Sequence, residues 1–274
     1  LPQRWMSLRS KQGATACNSN PTASYTHATC KSRADCGPTH PSMKSPAFWL
    51  GLFRGRQGYL ASMTDSILSH LEHGVMTITL NRPEVFNSFN QKMGQAFQQA
   101  LYAAAHDDNV RCVVITGSGR AFCAGQDLKE VTSDTSPGFK IIVEETYNRS
   151  IRLICNMEKP TIAAVNGVAA GAGANIALAC DFVVAKHSAK FIQAFANIGL
   201  VPDSGGTFWL PRLVGMARAK ALTMLGAPLS STEAESMGLI HLAAPEEEFD
   251  SEVGRLSQTL ANLPTKGLGM TKKA

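Results

Sequence analysis

Acidic residues are almost missing from the first 62 positions, where Asp35 stands alone against eight Lys and Arg. The other 18 basic and 20 acidic residues lie in 63–274, so the formal charge of +5 belongs to the leader and not to the body. The body thus lacks the basic excess that nucleic-acid binding needs. Long apolar runs are missing too: none approaches the ~18–20 residues of a membrane span, and Ala47 to Phe53 is the longest in the leader. None of the seven cysteines sits in a C-x-x-C pair. Cys112, Cys123, Cys155 and Cys180 fall in apolar surroundings, which suits buried free thiols in a reducing compartment. His70, His73, His106, His187 and His241 have no ligand spacing, so no metal site is expected.

What remains is ordinary globular material, 44% hydrophobic and 17% charged over 274 residues, enough to bury a sizeable core in one domain or two. Residues 1–62 are rich in Ser, Thr, Pro, Arg and Lys, with little periodicity. A mitochondrial transit peptide has this composition, and so does a disordered tail. The expected organisation is a disordered or targeting-like leader, 1–62, before a folded body, 63–274. The expected compartment is the cytoplasm, or the mitochondrion if the leader is a transit peptide.

Along the body, Ile67 to Leu80 reads as two strands around His73-Gly74; Met76, Ile78 and Leu80 alternate with Thr77 and Thr79, the period of a half-buried strand. Asn90 caps a helix whose apolar face is Met93, Ala96, Phe97, Ala100, Leu101 and Ala104. Val110–Thr116 reads as a strand buried on both faces. A helix from about Phe139 to Met157 precedes a strand at Thr161–Val165, and another strand follows at Phe182–Ala185. Repeated strand-then-helix units predict an α/β fold with a parallel sheet. After Gly205 the chain reads as helical: Thr207–Val214, Ala217–Leu225 and Ser231–Met237, the last with Ser230 and Glu233 as a capping box.

Two segments carry chemistry. Val165 to Asp181, VNGVAAGAGANIALACD, runs from a strand through Asn166-Gly167 into a helix opened by Gly171-Ala172-Gly173. Small residues there let the backbone approach a ligand, and a helix start aims free N–H groups at it. Such a device binds a phosphate or stabilises an oxyanion. The match to G-x-G-x-x-A is weak, because no acid lies about 20 residues on, near Phe191; tight packing alone also favours small residues. An oxyanion site needs a second N–H donor, and Arg120 to Leu128, RAFCAGQDL, offers one.

With LNRPEVFNSFN (Leu80–Asn90), AFCAGQDL (Ala121–Leu128), VNGVAAGAG (Val165–Gly173) and GLVPDSGGT (Gly199–Thr207) in this order, the chain resembles the crotonase family, the enoyl-CoA hydratases and isomerases. The resemblance implies a spiral of ββα turns followed by a helical tail. It also implies that a thioester oxygen is held by the N–H groups of Gln126 and Ala172. CoA would arrive as part of an acyl-CoA substrate, with no separate cofactor. Arg82, Val85, Ala124, Asp127, Leu128, Gly171, Asn175 and Phe195 would line the substrate site. Family members start near Met63 and extend several tens of residues past Pro264–Met270, with helices that close the acyl pocket and build trimers or hexamers. By that measure the tail is truncated here.

A crotonase hydratase uses two glutamates to hold and activate water. The matching positions here are Asn175 and Phe195, an amide that takes no proton at neutral pH and a ring that holds no water. The carboxylate left in a motif is Asp203, in Pro-Asp-Ser-Gly-Gly. Alone, it reads as a turn or N-cap residue. By resemblance it looks like the acid of the phenylacetate-pathway ring-epoxide isomerases and Δ3,Δ2-enoyl-CoA isomerases; the 4-chlorobenzoyl-CoA dehalogenases carry an aspartate nucleophile there. Phe195, Leu200 and Val201 would raise its pKa. Asp127 reads first as the cap of Leu128–Glu130, and Arg82 as either a CoA contact or a solvated arginine. The implied activity is acyl-CoA isomerisation; a non-catalytic acyl-CoA binder is the reading from another class.

Overall fold

The structure is a computed structural model and describes residues 65–134 and 136–274; the expected leader, 1–62, lies outside them. Ile67–Glu72 (β1) and Val75–Leu80 (β2) form a hairpin. Its two turn residues, His73 and Gly74, have φ of 49° and 79°, the left-handed pair that matches the twist of the flanking strands. Ile78 and Leu80 are buried while Thr77 and Thr79 are only partly so, as their alternation predicts. Gln91–His106 (α1) follows, and its cap is the expected one: Asn90 Oδ1 accepts from the Met93 N–H at 2.9 Å.

Three turns of chain then repeat one plan, a strand in a first sheet, a short strand in a second and a helical segment. Cys112–Gly117 (β3) and Ala121–Cys123 (β4) lead to Leu128–Val131 (α2), Phe139–Ile142 (α3), a π-turn at Val143–Tyr147 and Asn148–Asn156 (α4). Thr161–Val165 (β5) and Val168–Ala170 (β6) lead to Ala172–Leu178 (α5), and Phe182–Lys186 (β7) and Lys190–Ile192 (β8) to a 3-10 segment, Ala194–Ile198. Among the described residues the first sheet runs β1-β2-β3-β5-β7-β10 and the second β4-β6-β8-β9, where β9 is Leu229–Ser230 and β10 is Leu242–Ala244. All pairs are parallel except β1 with β2 and β8 with β9. This is the ββα spiral that the resemblance implies.

The helical tail begins with Gly206–Leu225 (α6), interrupted at Gly215 (φ 76°, ψ 162°), which separates the two helices expected there. Ser231–Ser236 (α7) has both halves of the Ser230–Glu233 capping box. Phe249–Asn262 (α8) and Thr265–Lys273 (α9) follow. Among the described residues no helix is long and apolar enough to cross a membrane.

Successive side chains of a strand point to opposite faces, and here both faces are covered. Val113 and Ile115 join α1 and α5 in one apolar cluster; Cys112 and Val114, with Ile162 and Val184, pack on Phe249, Leu260 and Ala261 of α8. Ala172, Phe89 and Tyr147 belong to the first cluster.

Candidate active site

The segments expected to supply N–H donors meet through glycine. Phe89 and Gln126 form a lone parallel bridge in which the Phe89 N–H donates to the Gly125 carbonyl (2.7 Å) and the Asp127 N–H to the Phe89 carbonyl (2.8 Å). The Ala124 N–H donates to the Phe86 carbonyl at 2.9 Å. These bonds fasten the segment on both sides of Gln126 and leave its own N–H unspent among the described residues. Ala172 opens α5 behind Gly171, whose backbone (φ 53°, ψ −125°) offers no side-chain cap, so the first-turn amides are the orphans every helix start leaves. Gly125 lets its segment approach the start of α5 closely. A Cβ on it would stand 3.4 Å from the Ala172 nitrogen and 2.9 Å from the Ala170 carbonyl, and its φ is +88°. On the far side, a Cβ on Gly173 would lie 2.4 Å from the Cys123 carbonyl. Of the glycines in the weak dinucleotide match, Gly173 is accounted for by close packing on β4 and Gly171 by its positive φ.

Asp203 is tied to the helix that Ala172 opens, through Asn175. It opens a tight turn through its backbone: its carbonyl accepts from the Gly206 N–H at 2.8 Å, with Ser204 and Gly205 both at positive φ. It caps no helix, since α6 has Gly205 as its N-cap. Its carboxylate accepts from the Ser204 hydroxyl at 2.9 Å. Burial raises its pKa from 3.8 to about 6, against the lowering effect of that hydroxyl. The backbone of Asp203 thus makes the turn, and its carboxylate caps no helix.

Asn175 is fully buried. Its Nδ2 donates to the Asp203 carbonyl at 2.9 Å and its Oδ1 accepts from Gln193 Nε2 at 2.9 Å. The amide at the first glutamate position thus bolts the Asp203 turn onto α5. Phe195, at the second, is 5% exposed, and its Cζ would stand 3.8 Å from a Cβ on Gly171. Neither position supplies a base.

Arg82 and Asp127 are brought together. Arg82 Nη2 lies 3.1 Å from Asp127 Oδ2, and Arg82 Nη1 donates to the Ser88 carbonyl at 2.7 Å. Asp127 Oδ1 also accepts from the Lys129 N–H at 3.2 Å, which makes it the expected cap of α2. Arg82 is therefore not a solvated arginine; it pins the 82–88 loop, where Phe86 and Asn87 hold φ of 54° and 56°. Such φ values in non-glycine residues are sparse and tend to occur where surroundings over-determine the backbone. Beside this loop Ala124 and Leu128 are exposed and Val85 is half-buried.

Sequence reasoning missed Tyr147, Glu130 and Gln193. The Tyr147 hydroxyl donates to Gln126 Oε1 at 2.9 Å, and Gln126 Nε2 donates to Glu130 Oε2 at 2.9 Å. Burial, then the Cys123 thiol and the carboxylates of Asp203, Glu130 and Asp127, raise the Tyr147 hydroxyl well above its ordinary range. A tyrosine inside an amphipathic helix gives no sequence signal beyond core packing; the π-turn that carries it is an insertion common at functional sites.

Comparison with known proteins gives one consistent result. A family model described as enoyl-CoA hydratase/isomerase matches residues 70–274. The chain is 47% identical over 215 residues to a 1,2-epoxyphenylacetyl-CoA isomerase of Escherichia coli (strain K12), covering 77% of this chain and 82% of that protein. It is 43% identical over 209 residues to a probable enoyl-CoA hydratase of Rhodobacter capsulatus, covering 76% and 80%. Among solved structures, an enoyl-CoA hydratase from Mycobacterium avium subsp. paratuberculosis K-10 superposes with a TM-score of 0.72 at 34% identity, over 77% of this chain and 85% of that one.

Proposed function

The chain belongs to the enoyl-CoA hydratase/isomerase family, and from that premise we propose that it is an acyl-CoA isomerase. Its oxyanion site is formed by the N–H groups of Gln126 and Ala172, and Asp203 is its proton-transfer group. The observation that carries the reading is Asp203: a part-buried carboxylate free of capping duty, raised to about 6, with Asn175 and Phe195 where a hydratase keeps two glutamates. At neutral pH such a group is mostly ionised yet readily reprotonated, as a proton shuttle requires.

In this reading the two N–H groups polarise the thioester carbonyl. The Asp203 carboxylate takes a proton from the carbon next to it, and the electron pair moves to the oxygen as an enolate. The same proton returns to another carbon of the acyl chain, and the carboxylate is restored. On a ring-epoxide substrate, the class named by the 47% identical relative, protonated Asp203 would instead assist epoxide opening. The substrate brings its own CoA, so the chemistry asks for no further cofactor. Assembly into trimers is part of the proposal, supported by exposed Ile198, Val201, Met216, Met224 and Leu225.

The test is Asp203→Asn, which keeps the size and the turn-forming backbone. Turnover of a 3-enoyl-CoA or an epoxy-acyl-CoA is expected to fall by about 10²–10⁴, the usual contribution of general acid–base catalysis, with acyl-CoA affinity little changed. Undiminished turnover in the variant would return Asp203 to a turn residue. A wild-type protein that binds acyl-CoA and turns over none of these substrates would favour a binder.

A further inference from the structure

We infer that Tyr147 is a positioning residue for the oxyanion site, acting through the side chain of Gln126. This rests on the assignment of the Gln126 N–H as a donor to the thioester oxygen, but not on which reaction follows.

Gln126 is held through both its backbone and its side chain. Its backbone is fastened by the bridge to Phe89, and its side chain is held at both ends: Oε1 accepts from Tyr147 and Nε2 donates to Glu130 Oε2, each at 2.9 Å. The other Glu130 oxygen accepts from the Gln91 N–H at 2.9 Å, at the first residue of α1. The chain of bonds therefore runs from the π-turn, through the donor residue and α2, to the start of α1. A glutamine on a surface loop would lose this order to rotamer entropy. With both amide ends engaged, the Gln126 peptide has little freedom to rotate its N–H away from the substrate oxygen.

Tyr147 is suited to be the fixed end. It is fully buried, tilted against Phe89 with ring centroids 5.9 Å apart, and Phe89 is in turn the bridge partner of Gln126. One aromatic pair thus supports the donor residue through its backbone and through its side chain. The hydroxyl stays protonated at any working pH, so it acts only as a donor to Oε1. The π-turn at Val143–Tyr147 is the local device that delivers it there.

The experiment reads the thioester itself. The carbonyl stretch of an isotope-labelled, non-reacting acyl-CoA reports polarisation by the two N–H groups, whether or not the protein turns anything over. In Tyr147→Phe the downshift of that band is expected to shrink, kcat to fall about three- to ten-fold, as for one lost hydrogen bond, and KM to stay near its wild-type value. Gln126→Met, of similar volume, removes this bond from the other end together with the bond to Glu130, and is expected to shrink the downshift at least as much. The double variant should be no worse than Gln126→Met, because that change already removes the link to Tyr147. An unshifted carbonyl band in folded Tyr147→Phe and Gln126→Met would leave Tyr147 a satisfied core tyrosine and overturn the inference. If Tyr147→Phe does not fold, Gln126→Met is set against Glu130→Ala, which loses the Glu130 end of the clamp and keeps Tyr147; a band shifted no further in Gln126→Met than in Glu130→Ala overturns the inference. A wild type that polarises the carbonyl without isomerising anything would sink the isomerase proposal and leave this one standing.

Discussion

A carboxyl whose pKa rises from 3.8 to about 6 on folding binds a proton more readily in the native chain than in the unfolded one. Between those values the native state holds more protons, so stability falls as pH rises through the window from about 4 to 6. The full shift would be worth about 3 kcal/mol, and with partial exposure about 1–2 kcal/mol is a reasonable expectation. Asp203→Asn should therefore be more stable than wild type at pH 7–8, with the gap closing toward pH 4; thermal midpoints across that range check it. A constant gap would locate the effect outside this titration. A second residue-scale prediction concerns the donors. Ala172→Pro removes an N–H at a helix position proline tolerates, and turnover should fall about 10²–10³ with the fold intact. Gln126→Ala keeps its N–H and loses only the clamp, so its kcat should drop about ten-fold or less. Equal losses in the two folded variants would show that the backbone amides are not the donors.

At the scale of elements, α5 is held against β4 by absence of side chain. A Cβ on Gly173 meets the carbonyl, Cβ and Sγ of Cys123 at 2.4, 2.7 and 2.8 Å, and the first of these is backbone. Gly173→Ala must push the helix off the strand, at a cost of about 1–3 kcal/mol measured by denaturant unfolding. Because Gly171 and Ala172 move with that helix, kcat should fall with it. Full activity and unchanged stability would mean that helix and strand slide freely, and the donor geometry would then need another source of rigidity. The Asp203 turn depends on the same helix through Asn175, so one packed element positions both the Ala172 N–H and the Asp203 turn.

At the scale of the whole molecule, the two faces of the six-stranded sheet separate stability from chemistry. Phe249 of α8, 3% exposed, packs on the face away from the candidate site. Phe249→Ala is expected to cost about 3–5 kcal/mol of folding stability while kcat at moderate temperature stays near wild type. Loss of kcat in protein shown to be folded by circular dichroism would reveal coupling across the sheet.

The long periodic segments were legible in the residues alone. The β1–β2 hairpin, the Asn90 cap, the doubly buried β3, the strand-glycine-helix at Thr161–Leu178 and the Ser230–Glu233 box all follow from patterns local in sequence, because period, capping and turn chemistry act within a few residues. The pairing of AFCAGQDL with VAAGAG came through resemblance, and the loss of both glutamates was visible in Asn175 and Phe195. What tertiary structure alone decided is whatever depends on contacts distant in sequence. Strands β4, β6 and β8 are three residues each, too short to carry a period, and exist because a second sheet pairs them. Asp203 could be a helix cap until the fold gave the capping position to Gly205 and left the carboxyl half-buried. Arg82 could be a solvated arginine until Asp127, 45 positions away, came within 3.1 Å. Tyr147 was one more apolar-face residue until a π-turn aimed its hydroxyl at Gln126, since hydrogen bonds between side chains depend on where the backbone finally places them.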